Sequence, residues 1–199
     1  MDLSDPTTAT LAASRAMSAA GQRCAVYGGL ALAVWGEPRE TRDADFAVSG
    51  ADLDSIVQAL GAAGLDPQVN FREQVFGGNG VSRIQIFGGP GTTGFNVIDL
   101  VQPRSERFAS DVLSRAIRGA VRGQGVSVVC PEDFVLLKVL STRERDLEDA
   151  AIVVRKLRAH LDWQLLRSEV ENLAGELADC PCVTRWQAVV ELAEAGDRA

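Results

Sequence analysis

The stretch that decides the fold reads Gly28-Gly-Leu-Ala-Leu-Ala-Val-Trp-Gly-Glu-Pro-Arg-Glu-Thr-Arg-Asp43-Ala-Asp45-Phe-Ala-Val48. Leu30 to Trp35 is a short Ala/Leu-rich helix, ended by Gly36 and Pro38. Ala44 to Val48 is a strand. Side chains alternate between faces along a strand. Asp43 and Asp45 therefore share one face, while Ala44, Phe46 and Val48 share the other. The second face is apolar and belongs in a core. The first sets two carboxylates side by side, which repel unless a cation lies between them. A hard divalent cation suits such a pair, and Mg²⁺ usually takes one or two carboxylates together with substrate phosphates. The competing reading of a lone Asp-x-Asp is a solvated strand end.

Working outward, Thr8 to Ala20 has helical spacing and stops at Gly21, and Arg23 to Tyr27 is a short strand. Downstream, Ser49 is read as the cap of a helix running to about Ala63. Three strand-like runs follow, Arg72–Phe76, Ser82–Phe87 and Phe95–Val101, separated by the turns Gly77-Gly-Asn-Gly80 and Gly88-Gly-Pro-Gly91. Arg104 to Ile117 reads as a helix. Gly119–Arg122 and Val126–Cys130 read as a strand pair around Gly123-Gln-Gly125. From Pro131 the β signal ends and four helices are expected, over 131–141, 145–160, 162–178 and 182–195. The order predicts an α+β (α/β) protein. A mixed-sheet core with an N-terminal helix would span residues 1–130, and a C-terminal helical bundle would span 131–199.

Asp99 supplies a third carboxylate. It interrupts the apolar run Phe95-Asn-Val-Ile-Asp-Leu-Val101, where an unpartnered charge is costly. If this strand lies beside Ala44–Val48, three acids converge, and two metals held by three carboxylates can clamp the attacking and leaving oxygens of a phosphoryl transfer. Gly28-Gly29, between a strand and a helix, lets backbone N–H groups face an anion such as a triphosphate.

Taken together, these residues resemble the nucleotidyltransferase superfamily that includes DNA polymerase β. The run Gly-Gly, helix, Gly-x-x-Arg-x-Thr-x-Asp-x-Asp is more narrowly similar to the minimal bacterial enzymes of the AbiEii type, from toxin–antitoxin and phage-defence loci. The resemblance covers about residues 22–150. It implies that Gly28 and Gly29 contact nucleotide phosphates, that Asp43 and Asp45 hold Mg²⁺, and that Asp99 completes the metal site and helps deprotonate the acceptor. The chain departs from the family's common Gly-Ser by having Gly29, which removes a hydroxyl.

A second block, from Pro131-Glu-Asp-Phe-Val-Leu-Leu-Lys138 to Arg143-Glu-Arg145-Asp146-Leu-Glu-Asp149, resembles the family's helical segment. Lys138 follows four apolar residues and is placed either on a triphosphate or as a snorkelling surface lysine. Asp146 is read as nucleotide-binding or as the N-cap of the next helix. Arg39 and Arg42 flank the paired acids and are candidates for phosphate.

The chain has 199 residues, 20 basic and 27 acidic, for a net charge of −7. That argues against a general nucleic-acid coat protein. One positive island interrupts the acidity: Arg104, Arg107, Arg115, Arg118 and Arg122 face only Glu106 and Asp111 within 104–122. It reads as a solvated helix or as an approach path for a polyanionic acceptor. No apolar run is long enough to cross a membrane and no secretory leader is evident, so a cytoplasmic protein is expected. Cys180-Pro-Cys182 lacks a second ligand pair for zinc.

The resulting expectation is an enzyme that transfers a nucleoside monophosphate from an NTP to a hydroxyl of RNA (tRNA included), protein or a small molecule. Two Mg²⁺ ions would assist, and an antitoxin partner is possible. Transfer to an aminoglycoside-type acceptor is one alternative. A non-catalytic nucleotide- or partner-binding toxin–antitoxin component on the same fold is the other.

Overall fold

The computed structural model describes residues 1–35 and 37–196. The sheet has seven strands: β1 (Cys24–Val26), β2 (Ala44–Val48), β3 (Leu65–Phe76), β4 (Asn79–Gly88), β5 (Phe95–Pro103), β6 (Ile117–Val121) and β7 (Gln124–Val128). Their order across the sheet is β3-β4-β5-β2-β1-β7-β6. The β2–β5 and β1–β7 pairs are parallel and the rest antiparallel, so the sheet is mixed.

Four helices accompany the strands: α1 (Pro6–Ala19), α2 (Gly28–Val34), α3 (Leu53–Ala62) and α4 (Glu106–Ser114). Four more follow the sheet: α5 (Pro131–Val139), α6 (Glu144–Lys156), α7 (Trp163–Glu176) and α8 (Cys182–Gly196). The start of α1 is set by Asp5, whose carboxylate accepts from the N–H groups of Thr7 and Thr8. Pro131 stands in the first turn of α5, where its missing N–H costs nothing. Among the described residues, no helix is long and apolar enough to cross a membrane.

Burial follows the strand period. Ala44 and Phe46 on β2, Ile98 and Leu100 on β5, and Ile84 and Ile86 on β4 share one buried face. The opposite face carries Asp45, Asp99 and Arg83. Phe134 of α5 packs against Tyr27 and Trp35, with ring centroids 5.4 Å and 5.2 Å away. One apolar core runs from α1 to α8.

Several boundaries differ from the sequence reading; α4, for instance, ends at Ser114, and Ile117 opens β6. The cap of α3 is Asp52, not Ser49, because Gly50 at φ +58 turns the chain before the helix starts. Strand β3 begins at Leu65 rather than Arg72. Its first half carries Asp66, Pro67, Gln68 and Asn70, turn-like residues that an edge strand tolerates because one side of its ladder meets no partner.

Candidate active site

The paired acids stand where the parallel β2–β5 register brings in the third. Asp45 is opposite Asp99, Asp99 is opposite Arg83 on β4, and Arg83 is opposite Phe71 on β3. One row thus crosses four strands as acid, acid, arginine, aromatic. It floors a cleft of about 670 Å³ whose walls come from the 39–43 segment, the β3–β4 hairpin and the α5–α6 connection.

The floor is short of counter-charge. No described residue hydrogen-bonds the carboxylate of Asp43 or Asp45. Burial, then the neighbouring charge of Asp99, pushes Asp45 up to about 7, and the same two causes raise Asp43. Asp99 is treated differently: Arg83 Nε and Nη2 donate to its two oxygens, both at 2.7 Å. The guanidinium also lies over the Phe71 ring, 5.6 Å from its centroid.

The glycine pair lies behind the acids. Gly28 has φ +66, and a methyl group there would come within 1.9 Å of Asp45 Oδ2. Only glycine accommodates both demands. A methyl on Gly29 would lie 2.7 Å from Thr41 Cβ and 3.0 Å from its Oγ1. Gly-Gly rather than Gly-Ser therefore follows from Thr41, which lines the cleft and whose hydroxyl donates to Asp43 O.

Lys138 is neither exposed nor snorkelling. Its side chain is 3% accessible, and Nζ lies 2.5 Å from Asp146 and 3.2 Å from Asp149, over the rings of Tyr27 and Phe134. Asp146 is not a helix cap either: α6 starts at Glu144 with Arg143 before it, and Asp146 turns inward. Although burial works against its charge, Lys138, Ser141 and Arg143 together hold its carboxyl below the ordinary range. Arg39 pairs with Asp149 at 2.8 Å, and its Nε is buried without an acceptor. Arg42 is nearly free in solvent, with Glu40 at 3.9 Å. Asp43, Asp45, Asp99, Arg39, Arg42, Lys138 and Asp146 all line this cleft.

Sequence reasoning missed Thr41, Phe71, Asn79 and Arg83, which line it too. The Oδ1 of buried Asn79 has no partner, while its Nδ2 donates to Leu137 O. Arg83 gave the same signal as Asp99, a charge inside an alternating apolar strand.

The positive island is not at this cleft. Arg104 pairs with Asp179, Arg107 with Asp111, Glu169 and Glu176, Arg115 with Asp133, and Arg122 with Asp5.

The chemistry of Asp43 and Asp45 fits a hard cation, since their raised proton affinity comes partly from the crowding of like charge that a cation relieves. As the side chains stand, no three His, Cys, Asp or Glu among the described residues form a group that could hold a metal ion. Asp99 is turned to Arg83 instead.

A search among curated proteins finds no match. Among solved structures, the fold resembles an antigenic nucleotidyltransferase-like protein from Paracoccidioides brasiliensis, with a TM-score of 0.52, 19% identity and 94% of each chain covered. It also resembles ANT(2'')-Ia, seen by crystallography with adenylyl-2''-tobramycin (TM-score 0.50, 14% identity, 86% of this chain and 96% of that one) and in solution (0.53, 14%, 86% and 94%). At these identities the likeness is one of fold. The family "Nucleotidyltransferase of unknown function (DUF6036)" matches residues 10–191. With nearly the whole chain matched and three acids gathered on the sheet, the protein belongs to that family and is a nucleotidyltransferase.

Proposed function

We propose that the enzyme moves a nucleoside monophosphate from an NTP to an acceptor hydroxyl, with Mg²⁺ bound at Asp43 and Asp45. The observation that carries this reading is the β2–β5 register, which sets Asp45 beside Asp99 on the face of the cleft. In the reaction the acceptor oxygen attacks the α-phosphorus, the bond to the bridging oxygen breaks, pyrophosphate leaves, and the hydroxyl proton passes to a carboxylate. Asp99 is the acid proposed to take it and to complete the metal site. Bound Mg²⁺ would supply charge neutralisation at the transferring phosphate. Gly28 and Gly29 let the backbone approach the phosphates without side chains in the way. Arg39 and Arg42 face the same anion. Lys138 and Asp146 form a buried pair that fixes the roof and sets Arg143 at its edge.

Among acceptors, RNA or protein suits the cleft better than an aminoglycoside. Arg39, Arg42, Arg143 and Arg145 around it would repel a polycation once the acids are metal-bound. The AbiEii-type likeness, with its antitoxin partner, rests on the Gly28-to-Asp45 run, with the Pro131-to-Asp149 block as support. The test is incubation with labelled NTPs, Mg²⁺ and a panel of RNA, protein and small hydroxyl acceptors. Label transfer lost in Asp43→Ala/Asp45→Ala supports the reading. Tight NTP binding without turnover over the whole panel favours the non-catalytic alternative.

A further inference from the structure

Three carboxylates meet on one face, yet only two lack a counter-ion. Asp99 is 8% exposed and both its oxygens receive Arg83. A fork-to-fork pair of this kind takes one lone pair on each oxygen and neutralises the carboxylate's charge, which weakens it as a ligand for a cation beside Asp45. A cation placed there would also stand within a few ångströms of a fixed guanidinium. Metal and arginine are therefore rivals for one carboxylate.

Arg83 is built to give way. Its side chain is 36% accessible, against 11% for Asp99, so the guanidinium reaches solvent while the carboxylate stays put. It already rests over the Phe71 ring, which gives it apolar support on the side away from Asp99. The pairs Asp45–Asp99 and Asp99–Arg83 are both direct cross-strand neighbours, so once the Arg83 guanidinium swings out, Asp99 is left beside Asp45 without backbone change.

We infer that Arg83 is a positioning residue that holds Asp99 in the resting enzyme and withholds it from the metal. The inference rests on the metal-dependent reading above. Asp43 and Asp45 then give a weak two-carboxylate site for free metal. The full three-carboxylate site forms only when Arg83 leaves Asp99, and the anionic phosphates of an arriving nucleotide are the natural destination for a displaced guanidinium. Metal alone would bind poorly, and metal with nucleotide well.

The test is Mn²⁺ binding to the intact protein, followed by electron paramagnetic resonance of the free ion and without nucleotide. Arg83→Met is expected to bind Mn²⁺ about tenfold more tightly than the wild type, since it frees a buried carboxylate from a bidentate partner. Arg83→Lys, which keeps the charge but not the fork, is expected to fall between the two. In Arg83→Met/Asp99→Asn the gain should vanish. A residue needed only for packing would weaken metal binding when removed, so the sign of the change is diagnostic. Equal or weaker binding by Arg83→Met overturns the inference, as does a gain that survives without Asp99. Mn²⁺ binding by none of the proteins overturns the metal-dependent function as well, whereas equal binding by wild type and Arg83→Met overturns this inference alone.

Discussion

Two clusters of charge can be set side by side: the α4 region with its arginines, and the cleft with its acids. Around α4, Arg104, Arg107 and Arg115 each have an answering carboxylate. Arg107 alone meets Asp111, Glu169 and Glu176, and Arg115 meets the fully buried Asp133 through two hydrogen bonds of 3.0 and 2.7 Å. These pairs join α4 to α5 and α7, so the positive island is a clasp. In the cleft the account stays open. Asp43 and Asp45 are left without partners, Arg42 stands in solvent, and Arg39 keeps a buried donor with no acceptor. Charges that satisfy one another hold a fold together; charges left unmatched at the floor of a cleft await a ligand that is not part of the chain.

The contrast can be broken most forcefully at its two centres. Asp43→Asn is expected to lower nucleotidyl transfer by about 10³-fold, the scale of losing a principal electrostatic group at a reacting phosphate. The same change should leave the melting temperature level or higher, because it removes a repulsion. Arg115→Met should do the reverse. It strands Asp133 in the core, and breaking a buried pair in this way costs about 3 kcal/mol. Chemical denaturation should register that loss, while turnover per folded molecule stays close to wild type. A variant of the α4 clasp that abolished transfer without destabilising would dissolve the distinction.

How much of this could be read beforehand depends on how local the signal was. The alternation around Asp43 and Asp45 is written within a few residues and emerged as expected, as did Asp99 beside them. The clasp was not legible, because its acids come from 5, 133, 169, 176 and 179, far from 104–122 along the chain. A one-dimensional count sees five arginines and two acids; folding brings the rest. Lys138 shows the same limit. A lysine after Phe134-Val-Leu-Leu137 announces something unusual, but only α6 packed against α5 reveals that Asp146 and Asp149 receive it.

A milder change sharpens the contrast from inside the cleft. Gly29→Ser restores the residue common among related enzymes, yet here it drives a Cβ to 2.7 Å from Thr41 Cβ. The expected cost is about 2 kcal/mol, typical of forcing an extra group into a packed site. Thr41→Gly in the same chain should recover most of it. The coupling, read from denaturation of the two single variants and the double one, would show that Gly29 and Thr41 divide one volume between them. Additive losses would instead mean that the two side chains do not compete for that volume.

The last effect separates an unmatched charge from a matched one by its response to pH, and it vanishes toward pH 4. Burial, then the charge of Asp99, pushes Asp45 up to about 7 in the folded protein, from an ordinary value of 3.8. Between those values the folded state holds the extra proton, so the Asp45 contribution to metal-free stability falls as pH rises from about 4 to about 7 and then levels off. Asp45→Asn cannot lose that proton. Its advantage over the wild type should therefore be absent near pH 4 and grow to about 2 kcal/mol at pH 8, the conversion of the shift reduced for partial exposure to water. Asp146 provides the opposite case, since its carboxyl lies below the ordinary range and its stabilisation is lost as pH falls through that low folded value. Metal should cancel the Asp45 effect from the other direction. Protons and Mg²⁺ compete for the same oxygens, so metal affinity should drop below about pH 7, and saturating Mg²⁺ should flatten the wild-type stability curve. If the wild type and Asp45→Asn kept parallel stability curves from pH 4 to 8, Asp45 would be answered by some partner after all, and the cleft would differ from the clasp only in where it lies.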